Sequence, residues 1–140
     1  MDHATSKIDI YHQLSLGGSD TVCNKELYEQ KEGEHGVKIQ SYRGDNGVFK
    51  YQVFQYDIKK RNQLLAFSGV GIHGQNGVAD QAIQTVVISA RTMMLHQAAL
   101  WPEQFHMRLW PFFITHAAYL WNHLPGMQGL SPLEMYLGKK

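Results

Sequence analysis

The sequence has one cysteine, almost no net charge and no long apolar run, and each scarcity narrows the class of protein. Cys23 is the only cysteine, so an intramolecular disulfide is impossible and an intracellular location, nucleus or cytoplasm, is expected. Thirteen Lys and Arg against twelve Asp and Glu give a net charge of +1, which argues against binding nucleic acid by bulk charge alone. The most apolar segment, residues 109–125, is too short to span a bilayer, and Pro111, His116 and Asn122 interrupt it, so no membrane partner is expected.

The remaining composition is that of one globular domain. With 140 residues, 44% of them hydrophobic and 18% charged, the chain is long enough to bury a core, and we predict a single domain over residues 1–140. The first ten residues lack the basic start and apolar run of a signal peptide. Eight histidines are scattered without zinc-ligand spacing, so a structural zinc site is not expected.

Strand and helix patterns alternate along the chain, which predicts an α/β fold with a small mixed sheet flanked by helices. Among the helices, the one that opens near Thr21 is predicted to have Ser19 or Asp20 as its N-cap. Strands are expected over Lys7–Leu14, Val37–Tyr42 and residues 63–68. Helices are expected over residues 21–36, 51–62 and 78–97, from near Pro111 to before Pro125, and for one short turn from Pro132.

Apolar residues at helical spacing identify the faces expected to be buried. In the first helix these are Val22, Cys23, Leu27 and Tyr28. The pattern is clearest in the segment from Val78 to Gln97, where the predicted buried face consists of Ala79, Ala82, Ile83, Val86, Val87, Ala90, Met93 and Met94.

Asp45 follows a predicted strand in the sequence Asp-Asn-Gly and has two explanations. These residue types favour tight turns, so a simple turn accounts for them. A carboxylate at the end of a strand in an α/β sheet can also hold a ligand. Asp80, in the first turn of the next long helix, is similarly explained by the helix dipole alone. Together, however, two carboxylates on rigid elements are what paired divalent metal ions require in phosphoryl-transfer enzymes.

Four ordered blocks of this sequence resemble the integrase catalytic core of copia-type LTR retrotransposons, within the retroviral integrase superfamily. The blocks are "SYRGDNGVF", "FSGVGIHGQNGVADQAIQTVVISARTMML", "WPEQFHMRLWPFFITHAAYLWNHLP" and "LSPLEMYLG", and "DHATSKI" resembles the second strand of that family. The resemblance covers nearly the whole chain. It implies an RNase H-like fold and a polynucleotidyl transferase that joins retroelement DNA ends to target DNA, using an Asp, Asp, Glu triad with Mg²⁺ or Mn²⁺.

By position, the resemblance makes Asp45 the second acidic residue and places Asp80 where the third, a Glu, is expected. Both are therefore the catalytic and metal-ligating candidates, and Asn76 and Gly77 match the loop before the Glu. The first catalytic Asp of the family would precede residue 1, so the chain is expected to lack it and the strand that carries it. We therefore expect an inactive integrase-core remnant.

An alternative from another class is a non-catalytic module that binds nucleic acid or associates with itself, a possible homodimer. Lys50, Lys59, Lys60 and Arg61 would supply its basic patch, although such a run is also typical of a solvated helix face. A further alternative is that a missing first strand leaves a sheet edge open and the product unstable.

Overall fold

The computed structural model describes residues 1–44, 47–67, 77–126 and 129–138, and the chain divides into two units. We call Tyr11–Asn76 the sheet unit, and Met1–Ile10 together with Gly77–Lys140 the helical unit. The single-domain expectation for residues 1–140 stays a prediction.

In its described residues, 11–44 and 47–67, the sheet unit has two helices and two strands. Helix α1 spans Gly18–Glu34, strand β1 spans Ser41–Gly44, helix α2 spans Gln52–Lys60 and strand β2 spans Leu64–Phe67, with a 3₁₀ turn at Val48–Lys50. The strands pair in parallel, with Ser41 opposite Leu64 and Gly44 opposite Phe67. A parallel pair needs a crossover connection, which α2 supplies. The sheet within the described residues is this parallel pair, so the mixed sheet predicted from the sequence is not seen there.

Helix α1 forms where the sequence predicts it, but its cap and its buried side differ. Its N-cap is Gly17, not Ser19 or Asp20, which lie in the first turn. The buried residues are Thr21, Lys25 and Glu32, whereas two of the residues expected on the inner face, Cys23 and Leu27, are exposed. The predicted apolar face is wrong because this helix packs through ion pairs, described below, and apolar periodicity does not detect those. It ends before Gly36, whose φ of +75° suits glycine.

The described part of the helical unit has three α-helices and an apolar core cluster. Helix α3 spans Gly77–Leu100, α4 spans Trp110–His123 and α5 spans Pro132–Leu137; 3₁₀ turns at Pro102–Gln104 and Met107–Leu109 lie between α3 and α4. Ser131 and Glu134 form a capping box at the start of α5. The core cluster consists of Ile8, Ala82, Val86, Ala90, Ala117 and Ala118.

Within α3, the prediction is confirmed for Ala82, Val86, Ala90 and Met94, which are buried, and wrong for Ile83 and Val87, which are 58% and 38% exposed. No helix in the described ranges is long and apolar enough to cross a membrane.

The strand predicted over Lys7–Leu14 is wrong: these residues form no strand. The backbone of Ile8 is instead hydrogen-bonded to a side chain. Its N–H donates to Asn122 Oδ1 at 2.9 Å, and its carbonyl accepts from Asn122 Nδ2 at 2.7 Å. The Trp121 indole donates to the Ser6 carbonyl at 2.9 Å. One amide of α4 therefore satisfies both backbone groups that a neighbouring strand would otherwise bond.

Candidate functional site

The carboxyl end of β1 lies directly before the first candidate residue in the sequence. The strand ends at Gly44, and the next residue in the sequence, Asp45, lies outside the described residues, as does Asn76. The pairing of Asp45 with Asp80 therefore stays a prediction. What the structure defines is the chain on either side of residues 45 and 46, namely β1 up to Gly44 and the segment from Gly47 onward.

An aromatic cluster packs against this end of the strand. The Phe49 ring lies 5.2 Å from the Phe54 ring in an edge-to-face arrangement, and Phe54 in turn lies 6.3 Å from Tyr42. Phe54 is only 1% exposed, so its ring is fixed by the packing around it. The alternation along β1 directs Tyr42 and buried Gly44 to this cluster, while Ser41 and Arg43 are exposed.

The second candidate carboxylate, Asp80, lies in the first turn of α3, and the described part of that helix begins at Gly77. Asp80 is exposed. A negative charge there is favoured by the unsatisfied N–H groups and the positive end of the helix dipole. Its side chain is thus on a regular element and accessible.

The four basic candidates separate into two groups. Lys50, in the 3₁₀ turn, and Lys59 and Lys60, at the end of α2, are exposed and have no carboxylate partner among the described residues. Arg61 is the C-cap residue of α2 and is shared among three carboxylates. Its Nε lies 3.1 Å from Asp57 Oδ1, its Nη1 lies 3.1 Å from Glu29 Oε2, and its Nη2 pairs with Glu26.

The carboxylates that bind Arg61 belong to a larger network centred on Lys25. The Lys25 ammonium group, with a side chain 2% exposed, lies 2.8 Å from Glu29 Oε1 and 2.7 Å from Asp57 Oδ2. Glu29 also accepts hydrogen bonds from the Tyr42 hydroxyl at 2.7 Å and from Gln63 Nε2 at 2.6 Å. This ionic network joins α1, α2 and β1, the strand that leads to Asp45.

Ionisation in this network follows from its contacts. Burial acts to raise the pKa of Glu29, but hydrogen bonds from Lys25, Gln63 and Tyr42 and the Lys25 charge outweigh it, so the pKa is lowered. Burial likewise acts to raise the pKa of Asp57, and the hydrogen bonds and charges of Lys25 and Arg61 hold it below the usual value. Burial and the bond to Glu29 raise the pKa of Tyr42, which stays protonated. Glu29 and Asp57 are therefore carboxylates at neutral pH, while Tyr42 keeps its proton and donates it in the hydrogen bond to Glu29.

Sequence reasoning missed this network, although a signal for part of it was present. Lys25 and Glu29, and Asp57 and Arg61, are both spaced at i and i+4, which places each pair on one side of its helix. The contact between the two helices, Lys25 to Asp57, joins residues 32 positions apart, and no local pattern predicts it.

The resemblance implies a divalent cation. Whether the described residues can hold one depends on which of their side chains come close enough together to act as ligands. Carboxylate oxygens are the ligands that Mg²⁺ and Mn²⁺ prefer. Within residues 1–44, 47–67, 77–126 and 129–138, however, no three His, Cys, Asp or Glu side chains come together in a group able to hold a metal ion. Of the two predicted ligands, Asp80 alone is described. The described residues do not complete a metal site, and we derive no catalytic step through a metal.

Comparison with known proteins finds similarity in structure but not in sequence. No protein-family model matches the chain, and no curated protein matches it. Among solved structures, the catalytic core domain of BIV integrase superposes with a TM-score of 0.66 at 15% sequence identity. The match covers 96% of this chain and 80% of that one. This chain therefore has the fold of a retroviral integrase catalytic core.

Proposed function

We propose that the chain is the remnant of an integrase catalytic core of the copia type. Its ancestral activity would be DNA integration by metal-dependent polynucleotidyl transfer, within an RNase H-like fold. The 140 residues by themselves would not carry out that reaction.

The observation that carries this proposal is the shared fold, which extends over 96% of the chain. The sequence blocks that resemble the copia-type family add independent support because they occur in the family's order. They also coincide with regular elements: "SYRG" is β1, the block after Asn76 is α3, and the segment with Asn before Pro is α4.

Loss of activity is proposed from the carboxylates. The chain supplies Asp45 and Asp80 as the candidate catalytic and Mg²⁺ or Mn²⁺ ligands, and the resemblance requires three such residues, with Glu in the place of Asp80. Asp is one methylene shorter than Glu, and a displacement of about 1 Å at a reacting centre can lower a rate about 100-fold. A shortened carboxylate at position 80 is therefore a poor basis for two-metal catalysis.

A strand-transfer assay with labelled duplex DNA and Mg²⁺ or Mn²⁺ tests the proposal. We expect no joined product from the 140-residue chain, and none from the Asp45→Asn and Asp80→Asn variants. Joining by the chain that disappears in Asp45→Asn would overturn the proposed inactivity and would establish that Asp45 is catalytic.

A second candidate function is non-catalytic binding of DNA, with or without self-association into a homodimer. The observation in its favour is that Lys50, Lys59 and Lys60 are exposed and have no carboxylate partner in the described ranges. Such side chains can contact phosphates and release counterions. Arg61 could join them only in part, because its guanidinium group already binds three carboxylates.

Duplex DNA binding measured by fluorescence anisotropy between 50 and 200 mM salt tests this second function. If the three lysines each contact a phosphate, log K should fall with log salt with a slope of about −2.7. The Lys59→Gln/Lys60→Gln variant should flatten that slope by about 2, while Arg91→Gln, an exposed change in α3, should leave it unchanged. Binding that does not depend on salt would remove this candidate.

A further inference from the structure

Gly44, the last residue of β1, stands out because of the space around it rather than its backbone. Its φ lies outside the positive range, so the position does not need glycine for conformational freedom. A Cβ built there would lie 2.5 Å from Phe49 Cδ2, 2.8 Å from Cγ and 3.0 Å from Cε2. Real Cβ atoms do not approach a ring that closely, so any other residue would displace one of the two groups.

Phe49 has little freedom to move away. Its ring packs edge-to-face on Phe54, which is 1% exposed, and Phe54 packs on Tyr42. The Tyr42 hydroxyl is bonded to Glu29 in the ionic network. A Cβ at position 44 would therefore press on the Phe49 ring, which is held in place by Phe54 and, through it, by Tyr42. The backbone at the end of β1 would have to shift instead.

The contact also fixes where the chain returns after the strand. Gly44 and Phe49 are five positions apart and in contact, and the Lys50 N–H donates to the Gly47 carbonyl at 3.1 Å to close the 3₁₀ turn. The chain is thus held on both sides of residues 45 and 46, by the β1 ladder with β2 before them and by the turn after them.

We infer that Gly44 is a positioning residue: its bare Cα lets the Phe49 ring close on the end of β1, and this contact sets the direction in which the backbone leaves the strand toward Asp45. The role rests on the function proposed for Asp45. It assigns no chemistry to Gly44 itself, and it accounts for a glycine directly before the candidate carboxylate.

A double-mutant cycle in the full chain tests the inference with Gly44→Ala, Phe49→Ala and the double variant. The readouts are urea unfolding and the NMR signals of the Gly44 Hα protons and of the Asp45 amide and Cα. We expect an upfield-shifted Gly44 Hα signal in the unchanged chain, which is lost in Phe49→Ala. Gly44→Ala should lower the urea midpoint and shift the Asp45 signals. In the Phe49→Ala background, Gly44→Ala should leave the midpoint unchanged and shift the Asp45 signals only by the small amount that a neighbouring methyl group causes.

Gly33→Ala is the matched control, because a Cβ at Gly33, in α1 of the same unit, would meet nothing within 4 Å. It should leave the Asp45 signals in place.

Equal effects of Gly44→Ala in both backgrounds would overturn the steric contact. Asp45 signals that stay fixed while stability falls would overturn the positioning role. If the Gly44→Ala variant does not fold, the Phe49→Ala variant decides whether Gly44 has the positioning role. Asp45 signals that do not shift when the Phe49 ring is removed would refute that role. These outcomes are independent of DNA joining or binding, so they separate this inference from the proposed function.

Discussion

The two units of this chain are stabilised by different physics. The sheet unit buries an ammonium group among carboxylates, a tyrosine hydroxyl and a glutamine amide, beside one aromatic cluster. The helical unit packs alanines and aliphatic side chains of α3 and α4 against Ile8, and its buried ion pair, Lys7–Asp9, joins neighbouring residues of one segment rather than two elements. Ionic contacts depend on every partner being present, whereas apolar contacts depend on volume and shape. The two units should therefore fail in response to different changes.

The chain carries a natural reporter for each unit. All three tryptophans, Trp101, Trp110 and Trp121, belong to the helical unit, so tryptophan fluorescence, excited selectively over tyrosine, follows that unit. The single cysteine, Cys23, is exposed on α1 of the sheet unit and accepts a thiol-reactive fluorophore. Unfolding followed with both probes separates the responses of the two units.

The largest effect is expected from Lys25→Met. Removing the ammonium group leaves Glu29 and Asp57, whose side chains are 15% and 13% exposed, without their central cation. Breaking a buried ion pair from one side costs about 3–5 kcal/mol. Urea unfolding followed at Cys23 should show this loss, and the tryptophan transition should change less.

Lys60→Met is the control for that variant, because Lys60 is exposed at the end of α2 in the same unit. It should change stability by less than about 0.5 kcal/mol. If Lys25→Met is no more destabilising than Lys60→Met, the ionic network does not hold the sheet unit together and the contrast drawn between the units fails.

Acid should weaken the sheet unit next most strongly. The pKa values of Glu29 and Asp57 are lower in the folded chain than in the unfolded one, so their stabilisation is present above the ordinary carboxyl value of about 4. It is lost as the pH falls through the folded values. The urea midpoint at the Cys23 probe should therefore drop between about pH 5 and pH 2.

The helical unit also contains carboxyl groups of lowered pKa, Asp2 and Glu134, so its midpoint should fall as well, by a smaller amount because its core cluster consists of apolar side chains. Lys25→Met should flatten the pH dependence at the Cys23 probe, since Lys25 supplies hydrogen bonds and charge to both network carboxylates. An unchanged slope in that variant would mean that other groups cause the acid sensitivity.

In the helical unit, Ala90→Leu should be the sensitive change. Ala90 is fully buried in the core cluster with Ala117 and Ala118 of α4, so three extra carbons have no space. Overpacking costs about 1–3 kcal/mol, which the tryptophan transition should report. Ala99→Leu, at an exposed position of the same helix, is the control and should be nearly neutral. Equal behaviour of the two variants would show that α3 and α4 can separate without loss.

How much of this was predictable from sequence also differs between the units. The buried positions 82, 86, 90 and 94 of α3 and the start of α4 at Pro111 follow from periodicity and from proline chemistry, and these predictions are confirmed. The end of α1 was also accessible, because the predicted helix over residues 21–36 closes on Gly36. The strand before Asp45 was predicted over Val37–Tyr42 but spans Ser41–Gly44, so prediction and structure share only two residues.

The remainder depends on contacts between distant residues. The inner side of α1 could not be predicted, because Lys25 is buried by Asp57, a partner 32 positions away. The strand predicted at Lys7–Leu14 failed because the alternation of Ile8 and Ile10 indicates an extended segment but not what bonds it. The partner is a side chain 114 positions along the chain, Asn122. Asp45, Asn76 and their relation to Asp80 stay predictions from the resemblance.

The Asn122 contact gives the last test, at the place where the helical unit depends most on polar bonds. Asn122→Ala removes a donor and an acceptor from the Ile8 backbone, leaving both groups of a 7% exposed residue without that partner. An unsatisfied buried group costs about 1–3 kcal/mol. Tryptophan-detected unfolding and amide hydrogen exchange at Ile8 measure it.

Asn122→Asp separates the two bonds. The carboxylate still accepts from the Ile8 N–H but no longer donates to the Ile8 carbonyl, so amide protection at Ile8 should be retained more than in Asn122→Ala. Asn24→Ala is the control, because that amide bonds only the exposed Gln13 side chain. Faster exchange at Ile8 only in the Asn122 variants would establish that one side-chain amide acts in place of a strand. Equal exchange in all three variants would mean that the Asn122 amide does not hold this segment in place.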